Sequence, residues 1–268
     1  MSLMIDPEII AKFIRDTARS VILPRFRALG SGDVREKKPG DPVTVADIES
    51  ERELTRLLTG IVPGRHILGE ESVSENPAQL DLLSGDAPVW IIDPIDGTAN
   101  FVKGNPGFAV IVALTRGGKV EGGWLHNPVA DTMIWALKGK GAWMGTKRLA
   151  VTPDIAASHL TGSAYGKTPS GNRAGKAIRE SGRILGVHNQ GCSGIEYMLV
   201  AQGMSQFSLH SRSLPWDHAA GTLIVEEAGG YSRFLDGSDY DTRIPDHSIL
   251  TTSTPQAFQT IRDIMATA

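Results

Sequence analysis

Cysteine is almost missing from this chain: of 268 residues, only Cys192 is one. A single cysteine cannot close a disulfide within the chain, which is typical of proteins in a reducing compartment, so we expect a cytoplasmic location. An excess of charge of one sign is also missing, since 27 lysines and arginines face 30 aspartates and glutamates, a net charge of −3. No strongly basic surface is therefore predicted, and with it no direct nucleic-acid binding.

Long hydrophobic runs are absent as well. No window approaches ~18 uninterrupted apolar residues, the length that a membrane-spanning helix needs, so we expect no membrane association. The first residues lack the basic segment and long apolar run of a secretory signal. What is present is a balance of 41% apolar and 21% charged residues, which is typical of a globular protein with a sizeable core.

Helix signals are clear near the beginning of the chain. Asp6 and Pro7 are residue types that begin a helix, and Gly30 is placed to end it. Pro24 should kink this helix or end it earlier, because proline cannot donate a helical hydrogen bond. "TVAD" (44–47) resembles a capping box, in which a threonine and an acid begin a second helix.

Strand signals follow, and their arrangement changes along the chain. "PVWIID" (88–93) is a continuous apolar run, as expected of a strand that is covered on both faces. Gly117-Gly118 lies between two further strand-like runs and predicts a hairpin. We expect an N-terminal α+β half over 1–146, with a mostly antiparallel sheet. From 147 to 268 short apolar runs alternate with helical stretches, which indicates an α/β half packed against the first.

Three acidic clusters stand out: Glu70-Glu71 after "HILG", Asp93 and Asp96 in "DPIDGT", and Asp217 in "PWDHAAGTLIVEEAGG". Carboxylate oxygens are the ligands that Mg²⁺ prefers in proteins. The ends of strands and the starts of helices hold such ligands rigidly. The three clusters are therefore candidate metal ligands.

The segment "DPIDGT" can turn sharply at the end of its predicted strand. In such a turn Asp93, Asp96 and the carbonyl of Ile95 can face one point. Gly97 and Thr98 follow where a helix begins, and their N–H groups can receive a phosphate. A plainer explanation exists for each cluster alone, because Asp-Pro and Asp-Gly pairs are common in turns and acids favour a first helical turn. Spacing along the chain does not prove that the clusters converge.

The combination of motifs resembles a known family. "WIIDPIDGTANF" (90–101), with "GEES" (69–72) before it and "WDHAAGTLIVEEAGG" (216–230) after it, resembles the inositol monophosphatase family over nearly the whole chain. The resemblance implies a layered αβαβα sandwich of mixed α+β and α/β character, the sugar-phosphatase fold shared with fructose-1,6-bisphosphatase. It also implies a Mg²⁺-dependent, Li⁺-inhibited phosphomonoesterase that is commonly a homodimer.

The same resemblance assigns roles to the acidic clusters. It implies a first Mg²⁺ on Glu70, Asp93 and the Ile95 carbonyl, a second on Asp93, Asp96 and Asp217, and a third, weaker ion on Glu70 and waters. A metal-activated water would then attack the phosphate monoester directly and in line, without a covalent intermediate.

Further roles are carried over by motif match. Asp47 matches an aspartate that hydrogen-bonds Thr98, and the side chains of Thr98 and Glu70 would orient the attacking water. The predicted substrate-binding residues are Asp96, Gly97, Thr98, Gly191, Ser193 and His210.

Some positions depart from the family pattern and leave the substrate open. His210 stands where a glutamate is usual, His188 stands in place of an arginine, and a family lysine aligns with Glu36, with Lys37 or Lys38 as alternatives. A small polyol or sugar phosphate such as inositol 1-phosphate is our first expectation. Histidinol phosphate and a sugar or nucleotide bisphosphate are alternatives. A regulatory factor that acts through protein contacts, without catalysis, is an alternative of another class.

Overall fold

The first helix begins where Asp6 and Pro7 predict it. In this computed structural model, which describes residues 5–165 and 169–266, Asp6 Oδ1 accepts a hydrogen bond from the backbone N–H of Glu8 at 3.0 Å. Helix α1 spans Pro7–Thr17, and one π-helical and one 3₁₀ turn continue it to Arg25. The chain therefore leaves helical geometry next to Pro24, before Gly30.

The second helix begins with the predicted capping box. Thr44 Oγ1 accepts hydrogen bonds from the N–H groups of Ala46 and Asp47, at 3.1 and 3.4 Å. In return Asp47 Oδ2 accepts one from the N–H of Thr44 at 2.8 Å. Asp47 thus takes the capping-box position that glutamate usually occupies. Helix α2 runs over Val45–Leu58.

The remaining helices are α3 (Glu70–Glu75), α4 (Thr98–Val102), α5 (Pro169–Glu180), α6 (Ser193–Ala201), α7 (Pro215–Glu227) and α8 (Pro255–Ala266). The strands are β1 (Val34–Lys38), β2 (Asp41–Thr44), β3 (His66–Gly69), β4 (Val89–Asp96), β5 (Ala109–Arg116), β6 (Lys119–Asn127), β7 (Thr132–Leu137), β8 (Ala142–Met144), β9 (Lys147–Arg148), β10 (Thr161–Tyr165), β11 (Gly186–His188), β12 (Phe207–His210), β13 (Tyr231–Phe234) and β14 (Ile249–Thr252).

Seven strands form the first sheet, in the order β3-β4-β5-β6-β7-β8-β9. Only β3 and β4 run parallel, and the other neighbours are antiparallel as predicted. Gly117 and Gly118 form the predicted hairpin with φ values of 52° and 77°, which glycine adopts without a steric penalty. Strand β4 is buried along nearly its whole length, as its apolar run predicts.

The second sheet has the order β11-β10-β12-β14-β13. Strands β11, β10 and β12 are parallel, and β14 runs antiparallel to its two neighbours, β12 and the edge strand β13. Helices alternate with these strands along the chain. The first sheet ends at Arg148 and the second begins at Thr161. The boundary between residues 146 and 147 stays a prediction.

Five layers result from the packing of helices on the two sheets. Helices α1 and α2 cover the outer face of the first sheet, α6 and α7 lie between the sheets, and α5 and α8 cover the second sheet from outside. The predicted αβαβα sandwich is confirmed. In the described part of the chain, no helix combines the length and the apolar character needed to cross a membrane.

The central layer depends on a close approach between α6 and α7. A Cβ atom built on Gly221 of α7 would lie 2.2 Å from the ring of Tyr197 of α6, and both residues are buried. Glycine is therefore required at this contact for steric reasons.

We expect Gly221→Ala to lower the free energy of unfolding by about 1–3 kcal/mol, because the added methyl group forces the two helices apart. Gly60→Ala is the control, since a Cβ atom there meets nothing within 4 Å. Urea denaturation of both variants measures the difference. If Gly221→Ala were as stable as the wild type, the helices would have more freedom than this packing allows.

Candidate metal centre

Strand β4 ends in two carboxylates that meet a third from α7. Asp93, Asp96 and Asp217 each offer a carboxylate oxygen, and these oxygens lie within 4.8 Å of one another. Asp93 is only 1% exposed. The three candidate ligands, which lie in two separate motifs of the sequence, are thus brought together by the fold.

An extra residue in β4 explains how two of these side chains reach the same place. Residues three apart on a regular strand point to opposite faces. Here Asp93 pairs with Ile111 and Asp96 with Ala109, so three steps along β4 match two along β5. Such a bulge re-aims side chains. Pro94 lies inside it, where its missing N–H removes no ladder hydrogen bond.

Asp96 also ties the end of β4 to the start of α6. Its Oδ2 accepts hydrogen bonds from Cys192 Sγ at 3.1 Å, Ser193 Oγ at 2.9 Å and the N–H of Gly194 at 2.6 Å. These donors lie at the start of α6, where backbone N–H groups lack helical acceptors. The contact holds Ser193, a predicted substrate residue, against Asp96.

The start of α7 supplies Asp217 from its first turn, where the helix dipole favours a negative charge. Its carbonyl oxygen lies 3.1 Å from Ser193 Oγ. The N-terminal ends of α6 and α7 therefore meet at the carboxylate cluster.

Thr98 lies beside Asp47, as the motif match predicts. Thr98 Oγ1 is 3.2 Å from Asp47 Oδ1 and 2.9 Å from the carbonyl oxygen of Ile95. The other oxygen of Asp47 is occupied by Thr44, at 2.5 Å from its hydroxyl. The roles of these residues stay predictions, but the contacts hold the Thr98 hydroxyl in one orientation.

Glu70 is paired with a lysine. Lys37 Nζ lies 2.7 Å from Glu70 Oε1 and 2.9 Å from Glu71 Oε1, so Lys37, rather than Glu36 or Lys38, reaches the candidate site. Burial opposes the charge of Lys37, but the two glutamates outweigh it and raise its pKa. Glu70 lies outside the group of three close carboxylates, yet its charge acts on Asp93.

Sequence reasoning missed Glu51, which holds the start of α3 in place. Glu51 Oε2 accepts from the N–H of Glu71 at 2.7 Å, and Oε1 accepts from the N–H and hydroxyl of Ser72 at 3.0 and 2.8 Å. A Cβ atom on Gly69 would lie 2.1 Å from its carboxyl carbon. The signal was an acid on the buried face of α2, three residues before Leu54.

The predicted substrate residues border the same site. A Cβ atom on Gly97 would lie 3.1 Å from Cys192 Cβ and 3.3 Å from the carbonyl oxygen of Gly191, so the two loops touch. Gly97 and Gly191 have φ values of 88° and 65°, which favour glycine. His210 is 7% exposed, and burial lowers its pKa to about 4, so its ring is neutral at pH 7. Their contact with substrate stays a prediction.

Burial and mutual repulsion disfavour the negative charges of the carboxylates at this site. Burial, then the charges of Glu70, Asp96 and Asp217, raise the pKa of Asp93. Burial raises the pKa of Asp96 as well, against its three hydrogen bonds. Burial also raises the pKa of Asp47 to about 7. A divalent cation with a preference for oxygen ligands would offset this repulsion, so the donor set fits such an ion.

Comparisons with known proteins match this chain to one family and to one fold. The family model described as "Inositol monophosphatase family" matches residues 8–265. An inositol-1-monophosphatase of Caulobacter vibrioides is 35% identical over 243 residues, which are 85% of this chain and 90% of that protein. A fructose-1,6-bisphosphatase/inositol-1-monophosphatase of Aquifex aeolicus is 30% identical over 82% of this chain and 83% of its own. The solved structure of a Thermotoga maritima IMPase has a TM-score of 0.82 at 27% identity, covering 97% of this chain and 96% of that one.

We expect the cation-free protein to lose stability as the pH rises, because its acids ionise against burial. Carboxyl groups titrate near pH ~4 in an unfolded chain, whereas burial raises the pKa of Asp47 to about 7 and that of Glu71 to about 8. The contribution of these two carboxyl groups to the free energy of unfolding is therefore fully present below pH ~4, and it is lost as the pH rises to about 8. A cation binds the ionised form, so its stabilising effect should grow over the same range.

Thermal unfolding between about pH 5 and about pH 8, in EDTA and in saturating Mg²⁺, measures this effect. The rise in Tm caused by Mg²⁺ should increase with pH in the wild type and shrink in Asp217→Asn. A rise that stays constant or falls with pH would argue against the carboxylate cluster as the cation site.

Proposed function

Because this chain belongs to the inositol monophosphatase family, we propose that it is a Mg²⁺-dependent phosphatase for a small polyol or sugar phosphate such as inositol 1-phosphate. It is a phosphoric monoester hydrolase, as its curated relatives are named. The proposed dependence on Mg²⁺ is supported by the positions of Asp93, Asp96 and Asp217, whose carboxylate oxygens lie within 4.8 Å of one another.

The cation would be held by oxygen atoms alone. We assign one Mg²⁺ to Asp93, Asp96 and Asp217, and a second to Glu70, Asp93 and the carbonyl of Ile95, with a third, weaker ion on Glu70. When bound, Mg²⁺ supplies an activated water for direct in-line attack and neutralises charge on the leaving oxygen. Li⁺ is expected to inhibit.

The residues of the chain orient the water and the phosphate. Asp47 and the Ile95 carbonyl engage the proton of the Thr98 hydroxyl, so its lone pairs are free to accept a hydrogen bond from the attacking water and orient it. Glu70 is the second residue assigned to this task. Asp96, Gly97 and Thr98 would face the phosphate, at the turn where α4 begins.

Direct attack by water is supported by the state of Cys192. This thiol is 3% exposed, and burial, then the charge of Asp96, raises its pKa well above the ordinary value. A cysteine acts as a nucleophile only as the thiolate, which these surroundings disfavour. Cys192 is therefore not a candidate for a covalent intermediate.

An uncharged polyol or sugar is favoured as the leaving group. The residues assigned to it are Gly191, Ser193 and His210. None of them carries a charge at pH 7, because burial lowers the pKa of His210 to about 4. A second phosphate or the amine of histidinol phosphate would find no opposite charge among them. We also propose a cytoplasmic homodimer, as in the family that the motifs resemble.

Phosphate release from a panel of esters tests the proposal. Inositol 1-phosphate and glycerol 2-phosphate should be hydrolysed faster than histidinol phosphate, fructose 1,6-bisphosphate and adenosine 3′,5′-bisphosphate, and Li⁺ should inhibit in the same assay. Preference for a bisphosphate would overturn the polyol assignment. No release from any ester, with a partner that co-purifies in equal amount, would favour a regulatory factor instead.

Asp93→Asn should reduce kcat below about 1% of the wild-type value, because Asp93 is assigned to two ions. The variant should be at least as stable as the wild type in EDTA, since it removes a buried charge that its neighbours repel. Steady-state kinetics in saturating Mg²⁺ and thermal unfolding measure both effects. Asp154→Asn, at an exposed position, is the control. Near-normal turnover of Asp93→Asn would contradict the metal assignment.

A further inference from the structure

A buried carboxylate, Glu196, lies beneath the loop that carries Gly191, and the proposed reaction makes no use of it. We infer that Glu196 is a positioning residue that sets substrate selectivity, because it fixes both this loop and the hydrogen-bonding state of His210. The inference rests on the proposed function, in which Gly191 and His210 face the leaving alcohol.

Glu196 accepts hydrogen bonds from three separate segments of the C-terminal part of the chain. It lies in the first turn of α6 and is 2% exposed. Its Oε2 accepts from Ser163 Oγ of β10 at 2.7 Å and from Ser208 Oγ of β12 at 3.0 Å. Its Oε1 accepts from the backbone N–H of Gln190 at 3.2 Å. Buried carboxylates with this many donors hold their surroundings in one arrangement.

The loop is held from its other side as well. Asn100 Nδ2 donates to the carbonyl oxygens of Gln190 and Gly107, at 2.9 and 2.6 Å. The next carbonyl, that of Gly191, lies against Gly97. Gln190 is therefore clamped between Glu196 and the turn that bears the predicted phosphate contacts.

A serine connects Glu196 to His210. Ser208 Oγ lies 2.6 Å from His210 Nε2, and it has a single proton. Burial raises the pKa of Glu196, but the donors Ser163, Gln190 and Ser208 all favour its carboxylate form. When the Ser208 proton is donated to this carboxylate, Ser208 can only accept from His210, so Nε2 carries the ring proton. His210 Nδ1 is then an acceptor, which suits a hydroxyl donor on the leaving alcohol.

Aromatic side chains pack against the ring of His210. The His210 ring stacks on Tyr197 at a centroid distance of 5.8 Å and an interplanar angle of 18°, and it lies 4.6 Å from the ring of His218. Glu196 Oε2 itself is 3.4 Å from His210 Nε2. Glu196 therefore determines whether His210 Nε2 donates to Ser208 or accepts from it.

Glu196→Gln should reverse this hydrogen-bond chain. The N–H of Gln190 can only donate, so it holds the amide oxygen, and the amide NH₂ must face the serines. Ser208 then accepts from the amide and donates to His210 Nε2. The ring proton moves to Nδ1, which becomes a donor.

The experiment compares two esters on the full-length chain in saturating Mg²⁺. For inositol 1-phosphate, we expect Glu196→Gln to raise KM about 10-fold with kcat within about twofold. The substrate hydroxyl that donates to Nδ1 in the wild type must turn to accept from it in the variant, and its own proton then loses this acceptor. For 4-nitrophenyl phosphate, whose leaving group has no hydroxyl substituent, KM and kcat should stay unchanged. Nitrogen-15 NMR of labelled histidines should show the His210 proton on Nε2 in the wild type and on Nδ1 in the variant.

Two further variants keep the test decisive. Glu226→Gln makes the same chemical change on α7, where the carboxylate contacts Arg233, and it should alter neither KM nor the His210 signal. Ser208→Ala keeps Glu196 but removes the bridge to His210, so it should raise KM for inositol 1-phosphate alone. It serves as the test if Glu196→Gln does not fold.

Three results would separate the possible failures. If Glu196→Gln lowered kcat equally for both esters and left the His210 proton on Nε2, Glu196 would be structural only and the inference wrong. An unchanged KM in Ser208→Ala would also overturn it. If the wild type hydrolysed neither ester, the proposed function would fail, and an unmoved His210 proton would then overturn the positioning role independently.

Discussion

Repulsion among three carboxylates is the constraint that shapes the centre of this protein. Oxygens of Asp93, Asp96 and Asp217 lie within 4.8 Å of one another, and Asp93 is buried. Such an arrangement persists only where positive ends of dipoles, or a cation, face it. The starts of α6 and α7 are aimed at this point. The central helical layer is therefore an electrostatic support as well as a packed core.

A second set of charges supports the first at a distance. Lys37 holds Glu70 and Glu71 together, while Glu51 receives the backbone N–H groups at the start of α3. These contacts tie β1, α2 and α3 to one another. The candidate ligands are thus mounted on rigid elements whose own ends are hydrogen-bonded, which keeps a site in a single geometry.

The sequence predicted what is encoded locally. The capping box of Thr44 and Asp47, the apolar run of β4 and the hairpin at Gly117 depend on neighbouring residues, and the structure confirms them. The layered fold was predicted from the resemblance of the motifs to a known family. Glu51 was not found, because its partners lie 20 residues away. Glu196 was not found either, since its serines belong to strands that only the folded sheet brings together.

The distribution of the ligands along the chain has a consequence for biosynthesis. Asp93 and Asp96 leave the ribosome long before Asp217, whose helix α7 follows most of the second sheet. Domains fold largely in the order in which they are synthesised. The seven-stranded sheet can therefore pack against α1 and α2 before α7 emerges, but the core on its other face includes Leu223 and Ile224 of α7. The ion can be captured by all three aspartates only after α7 has emerged, so the same helix completes both the cation site and the core between the two sheets.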